Sequence, residues 1–323
     1  MALKLVETEV NNGWTTAQVT VRVVRGKSHS DEKGSRDQEV EHPSLLNKQL
    51  VYLRSTNLRL INQIISRLNE VESSKYIKIV SQEKVSNFIV SEVNGNIKIT
   101  YYEGNELHKS YHESEVENLI FDLIHICRYF SLLQIQNRYE DSKLNRQIHA
   151  YIGDSVVDQM FNKSVILDIE DIADITVGNN HEDAVYIYVL LFLQDGSIVK
   201  ISGHDEVLLP GWTRKIGAPS DFLEQVKISL TEAKIVDHNT LKIIATTEEV
   251  NVDFFRQRTW GENSDFQNIS IDDNEHNRPA NRLDAFMLNL IKGDITKDLE
   301  VISRDYKDFW TSIEILVDIG ISS

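Results

Sequence analysis

Residues 184–193 read AVYIYVLLFL, with no charge and no polar group beyond two tyrosine hydroxyls. The run is too short to cross a bilayer as a helix, which takes ~20 apolar residues. It is apolar at odd and even positions alike, so a strand made from it needs cover on both faces. Asp195-Gly196 follows, a hairpin signal that turns the chain back into Ser197–Ile201.

From Arg146 onward the hydrophobic period is two. The candidate strands are Gln147–Ile152, Val165–Ile169, Ala184–Leu193, Ser197–Ile201, Glu224–Ser229 and Leu241–Thr246, with a closing strand Trp310–Ile319. Short strands separated by such turns predict a β-sandwich or a partly closed barrel. Gln257 to Asn281 is polar and acidic and reads as a loop. Arg282–Lys292 reads as a short helix stopped by Gly293.

The first half has a different period. Pro43 opens a helical pattern through Leu46, Leu50, Leu53, Leu60, Ile61, Ile64, Ile65, Leu68 and Val71, at mostly three- and four-residue spacing. Strands follow at Tyr76–Val80, Asn87–Glu92 and Asn96–Tyr102, the last two joined by the hairpin dipeptide Asn94-Gly95. A second helix runs from Ser114 to Gln136 on a stripe of Val116, Leu119, Ile120, Leu123, Ile124, Cys127, Phe130 and Leu133. Glu115 and Glu117 suit the positive end of its dipole.

The expected fold class is α+β, an antiparallel β-sandwich-like domain with amphipathic helices packed alongside. The expected layout is a strand segment at 1–24, a flexible charged linker at 25–42, a helix-strand-helix region at 43–145 and the sandwich-like domain at 146–323. The linker RGKSHSDEKGSRDQEVEH holds one large aliphatic residue, Val40, too little apolar surface to offset the entropy of ordering. The opening stretch Trp14–Val23 echoes Trp310–Ile319: each has a Trp, two small hydroxyls, then alternating β-branched positions. A duplication would make each copy the closing strand of a similar sheet.

Charge narrows the function classes. The 323 residues hold 34 Lys+Arg against 50 Asp+Glu, a net charge of −16. Binding to phosphate backbones is driven by Lys and Arg releasing counterions, so no nucleic-acid partner is expected. No membrane span and no signal-peptide core is visible, and the single cysteine, Cys127, rules out an internal disulfide and a Cys-based zinc cluster. A cytoplasmic location is expected.

No complete catalytic constellation is present. A reactive thiol needs an adjacent base, and His125 stands two residues from Cys127, on a different side of a helix. Cys127 is the thiol candidate, but its place on the apolar stripe predicts a buried structural role. His181-Glu182-Asp183 and His204-Asp205 lack metal-ligand spacing. His108 and His112 have the four-residue spacing, in a segment that is not clearly helical. The acidic run 271–275 has neither the glycine nor the closing glutamate of a calcium loop. Phosphate-loop, dinucleotide and nucleophile-elbow motifs are missing. No metal and no cofactor is expected.

Several elements, in order, resemble a known family. These are a helix and strand ahead of a hairpin between Ser66 and Tyr102, then Leu119–Phe130 (LIFDLIHICRYF) with an exit through Leu133 and Asn137. Next come Val185–Leu193, Asp195-Gly196-Ser197-Ile198 and Leu209-Pro210-Gly211, then Leu241–Glu248 (LKIIATTE) with Val252-Asp253-Phe254 behind it. Phe309-Trp310-Thr311-Ser312 comes last. Over Ser66 to Ile319 the chain resembles the region that follows the catalytic domain in caspase-like cysteine peptidases of bacteria and some fungi. In that family the catalytic histidine and cysteine belong to an upstream α/β domain, and no position here matches either.

The resemblance implies a non-catalytic accessory or regulatory module of a caspase-like peptidase system, with a peptidase as protein partner and a role in microbial immunity or regulated cell death. It would dock the peptidase, restrain it or be cleaved by it. The charged linker, with Lys27, Lys33 and Arg36, is the expected cleavage segment. The alternatives are a stand-alone β-sandwich binding protein and a hydrolase using Cys127.

Overall fold

The computed structural model describes residues 48–71, 75–102, 107, 110–137, 139, 141–152, 155–157, 164–168, 175–201, 206–216, 237–259, 279–292 and 305–320. All of them lie in one compact unit, His42–Ser323. The opening strand, the 25–42 linker, the Glu224–Ser229 strand and most of the 257–281 loop fall outside the described residues.

The first described element is a strand where the leucine spacing predicts helix. β1 is Gln49–Arg54, and α1 runs only over Leu58–Glu70. Leu50 and Leu53 match a helical period by coincidence. Val51 is fully buried, and β1 pairs in parallel with both β2 (Ile77–Val80) and β3 (Phe88–Val93). Burial between two neighbours outweighs a local period. Asn57 starts the helix, its side chain accepting from Leu60 N at 3.2 Å, and Leu60, Ile64 and Leu68 form the buried face.

β3 turns into β4 (Asn96–Tyr101) through Asn94 and Gly95, with φ of 54° and 76°. Two successive positive φ values belong to the tight hairpin that the dipeptide predicts. β5 (Tyr111–His112) completes a five-stranded sheet in the order β2-β1-β3-β4-β5.

α2, Val116–Leu133, is buried almost all round. One side meets Phe88, Val90, Ile97 and Ile99 of the first sheet. The other meets Tyr188, Leu190, Phe192, Ile244 and Trp310 of the second, and all of these share one core. Residues from both sides of position 145 therefore build a common interior.

The second half holds β6 (Ile148–Ile152), β7 (Ser155–Val157), β8 (Ser164–Asp168), β9 (Ile175–Asn179), β10 (Val185–Phe192), β11 (Ile198–Lys200), β12 (Glu206–Leu208) and β13 (Thr213–Ile216). After these come β14 (Asp237–Thr246), α3 (Arg282–Lys292) and β15 (Trp310–Gly320). A six-stranded sheet runs β11-β10-β14-β15-β8, with β12 also on β10, and a four-stranded sheet runs β13-β9-β6-β7.

β10 is central, and both its faces are covered as the 184–193 run predicts. Tyr188, Leu190 and Phe192 face the α2 core. Val185, Ile187, Val189 and Leu191 join Ile148, Ala150, Ile175 and Val177 of the four-stranded sheet in a second core. Each fully buried aliphatic side chain contributes about 1.5–3 kcal/mol.

The antiparallel pattern expected over 146–323 needs correction at one place, and the first sheet also holds parallel pairs. β15 pairs with β8 in parallel, and β1 is parallel to both its neighbours. Parallel pairing needs a long crossover, and β8 and β15 are widely separated in sequence. The fold is mixed α+β, with several sheets and a few helices. No helix among the described residues is long and apolar enough to cross a membrane.

Candidate functional site

Cys127 is free and fully buried in the α2 core. Burial pushes its thiol well above the ordinary range, so the thiolate needed for nucleophilic attack is disfavoured. His112 caps the 3-10 turn Glu113–Glu115, its Nδ1 accepting from Ser114 N and its N donating to Glu115 Oε2. His108, His204, Lys27, Lys33, Arg36 and the acidic run 271–275 lie outside the described residues.

The polar residues of the resemblance are bonded across the body. Arg128, nearly buried on α2, donates to Gln257 Oε1 at 2.9 Å and to the carbonyls of Phe254 and Arg256. Gln257 Nε2 then donates to His125 O on α2 and to Gly196 O in the β10–β11 turn. One amide thus ties helix, hairpin and the 252–257 segment together. Asn137, just past α2, donates to Lys307 O and Trp310 O where β15 begins.

Lys242 sits at the centre of this bracing. Its side chain is fully buried, and Nζ donates to Leu132 O at 3.1 Å and Leu133 O at 2.6 Å, the last carbonyls of α2. Glu314 Oε1 lies 2.8 Å away on β15, and the Phe192 ring centroid 5.6 Å away. A cation at a helix C-terminus meets the negative end of the dipole and satisfies carbonyls that have no partner within the helix. Burial pulls the ammonium below its ordinary range, opposed by Glu314.

Asn179, buried at the end of β9, organises a second corner. Its N donates to Trp212 O at 2.9 Å and its O accepts from Gly211 N at 2.7 Å. Its side-chain amide donates to Asp183 O and Leu208 O, and its Oδ1 accepts from His181 N. Two turns, 179–183 and 208–212, are fixed by one residue. His181, Glu182 and Asp183 bring ring nitrogen and carboxylate oxygens within 4.8 Å of one another. His181 Nδ1 already accepts Asp183 N–H at 3.1 Å, so that nitrogen has no lone pair left for a metal.

Asn179 and Trp212 are not singled out by sequence, and Arg128 and Lys242 enter only within the resembling runs. Leu208 bonded to Asn179, the α2 carbonyls bonded to Lys242 and Gln257 bonded to Arg128 lie far along the chain, where no local period reports them. Trp212 left one trace, an aromatic residue directly after the Pro210-Gly211 turn.

No protein-family model, no curated protein and no solved structure matches the chain.

Proposed function

We propose that the chain is a non-catalytic accessory module of a caspase-like peptidase system in the cytoplasm. It docks the peptidase and restrains it or offers a segment for cleavage, in microbial immunity or regulated cell death. The observation that carries this reading is the bracing around α2. The motif residues behind the resemblance, Arg128, Asn137, Lys242 and Trp310, all join α2 and its exit to the 252–257 segment, β14 or β15. They act as the frame of a body and leave chemistry to another chain. On this reading the half with two sheets is β-sandwich-like, and Cys127 serves packing.

The test mixes the purified full chain with a caspase-like peptidase of the same genome and follows complex formation, peptide hydrolysis and fragment masses. The expected result is a complex with altered hydrolysis, or a cut between Arg25 and His42. A peptidase that neither associates with the chain nor cuts it overturns the proposal. A second reading, a stand-alone binding protein, draws on the exposed corner at Trp212.

A further inference from the structure

The β12–β13 turn holds an indole out in water. Trp212 is 59% exposed, and Leu209 and Val207 beside it are 42% and 37% exposed. An indole covered by a partner is among the most productive interface contacts, and one left in water adds little to the fold itself. This turn is also fixed in advance. Asn179 bonds to Leu208 O, Gly211 N and Trp212 O, so little backbone freedom is lost when a partner arrives.

Two acids stand on the turn that Asn179 ties to the indole's own turn. Asn179 also holds the 179–183 turn, where Glu182 and Asp183 are exposed with their carboxylates close together. Among the described residues no lysine or arginine pairs with either, and the nearest partner is His181 Nδ1 at 3.8 Å from Asp183. That nitrogen already accepts a backbone N–H. Arg214 and Lys215 follow on β13 but are engaged by other groups of the chain. Two adjacent, unpaired carboxylates next to an apolar patch are complementary to a cation carried beside an apolar side chain. A second copy of a chain with net charge −16 fits this corner poorly, and so does a nucleic acid.

We propose that the Trp212 corner is a docking site for an extended protein segment carrying an arginine or lysine next to an apolar residue. The apolar side chain covers Trp212 and Leu209. The cation sits against Glu182 and Asp183. The site does not depend on the partner being a peptidase, and its test contains no peptidase.

The experiment measures fluorescence anisotropy of a labelled dodecapeptide with two Leu-Arg pairs in a Gly-Ser background, added to the full chain at low salt. Two control peptides carry Glu for Arg or Ser for Leu. Wild-type protein binds the Leu-Arg peptide and neither control. Trp212→Ala and the pair Glu182→Gln/Asp183→Asn each weaken binding by about tenfold or more. Glu249→Gln, at another exposed acid, leaves binding unchanged. Thermal melting reports whether each variant is folded, and Leu209→Ser supplies a second apolar test if Trp212→Ala melts early. Equal binding by wild type and the folded Trp212 or Leu209 variant overturns the proposal. So does wild-type protein that takes up none of the Leu-Arg peptide, or that binds zinc alone at this corner and no peptide.

Discussion

Lys242 and Glu314 stand directly opposite each other on β14 and β15, and the ammonium that meets the carboxylate also closes the C-terminal end of α2. Helix and sheet are thereby joined through one buried cation. Removing the cation alone leaves Glu314 and two α2 carbonyls without it. Lys242→Met is expected to cost about 3 kcal/mol, and Lys242→Met/Glu314→Leu to recover a good part of that. Glu314 keeps 24% exposure, so solvent screens part of the loss. Urea midpoints at unchanged slope are the measurement. The pH dependence has a definite sign. The folded ammonium titrates below the ordinary 10.5, so the unfolded state holds more protons in that window. Through Lys242, stability rises with pH up to 10.5, and Lys242→Met lacks this rise.

Other buried groups act in the opposite direction. Cys127 and Tyr101 have raised values, the tyrosine pushed up to about 12 by burial. A raised group stabilises below its unfolded value and loses that contribution as pH rises toward its folded value. The Cys127 contribution is expected to decline above pH 9.0, and that of Tyr101 between 10.0 and about 12. Cys127→Ala removes the first decline and leaves the second, read from stability against pH.

The same burial sets the reactivity of the thiol. A neutral thiol reagent added to the native protein is expected to label Cys127 only as fast as the protein opens. Full labelling appears once urea unfolds the chain. Fast labelling of the native protein would place Cys127 at an accessible site and revive a hydrolase reading.

Asn179→Ala is expected to be far more damaging than its small change in volume indicates. Leu208 O, Asp183 O and His181 N all lose a buried partner. A loss of about 3 kcal/mol follows from the desolvation left uncompensated. The variant should also alter the indole environment of Trp212, visible as a shifted fluorescence maximum.

Gly95→Ala isolates a backbone effect. No atom lies within 4 Å of the added methyl, yet φ is +76°. The cost is expected at about 1 kcal/mol, with no change in packing, measured by thermal melting.

Some of this architecture is visible in the chain itself. The uncharged 184–193 run requires two covers, and β10 receives them from α2 and from the four-stranded sheet. The Arg282–Lys292 helix has the bounds its period predicts. β1 was hidden because Leu50 and Leu53 mimic a helical step, and β9 because Gly178 and Asn179 interrupt its alternation. Lys242 reads as the polar side of an ordinary strand. Nothing near it in sequence says that this side faces a helix terminus. Asn179 is hidden for the same reason, since its bonds reach to Leu208, Gly211 and Trp212.

The all-round burial of α2 has a consequence for biogenesis. Lys242 follows Leu132 by 110 residues, and Gln257 follows Arg128 by 129. A ribosome adding roughly 5–20 residues per second finishes α2 some seconds before the strands that cover its second side exist. During that wait one apolar side of the helix has only water or a chaperone to meet. Assembly from contacts so distant in sequence is slow, and the nascent chain is most prone to aggregate at this stage.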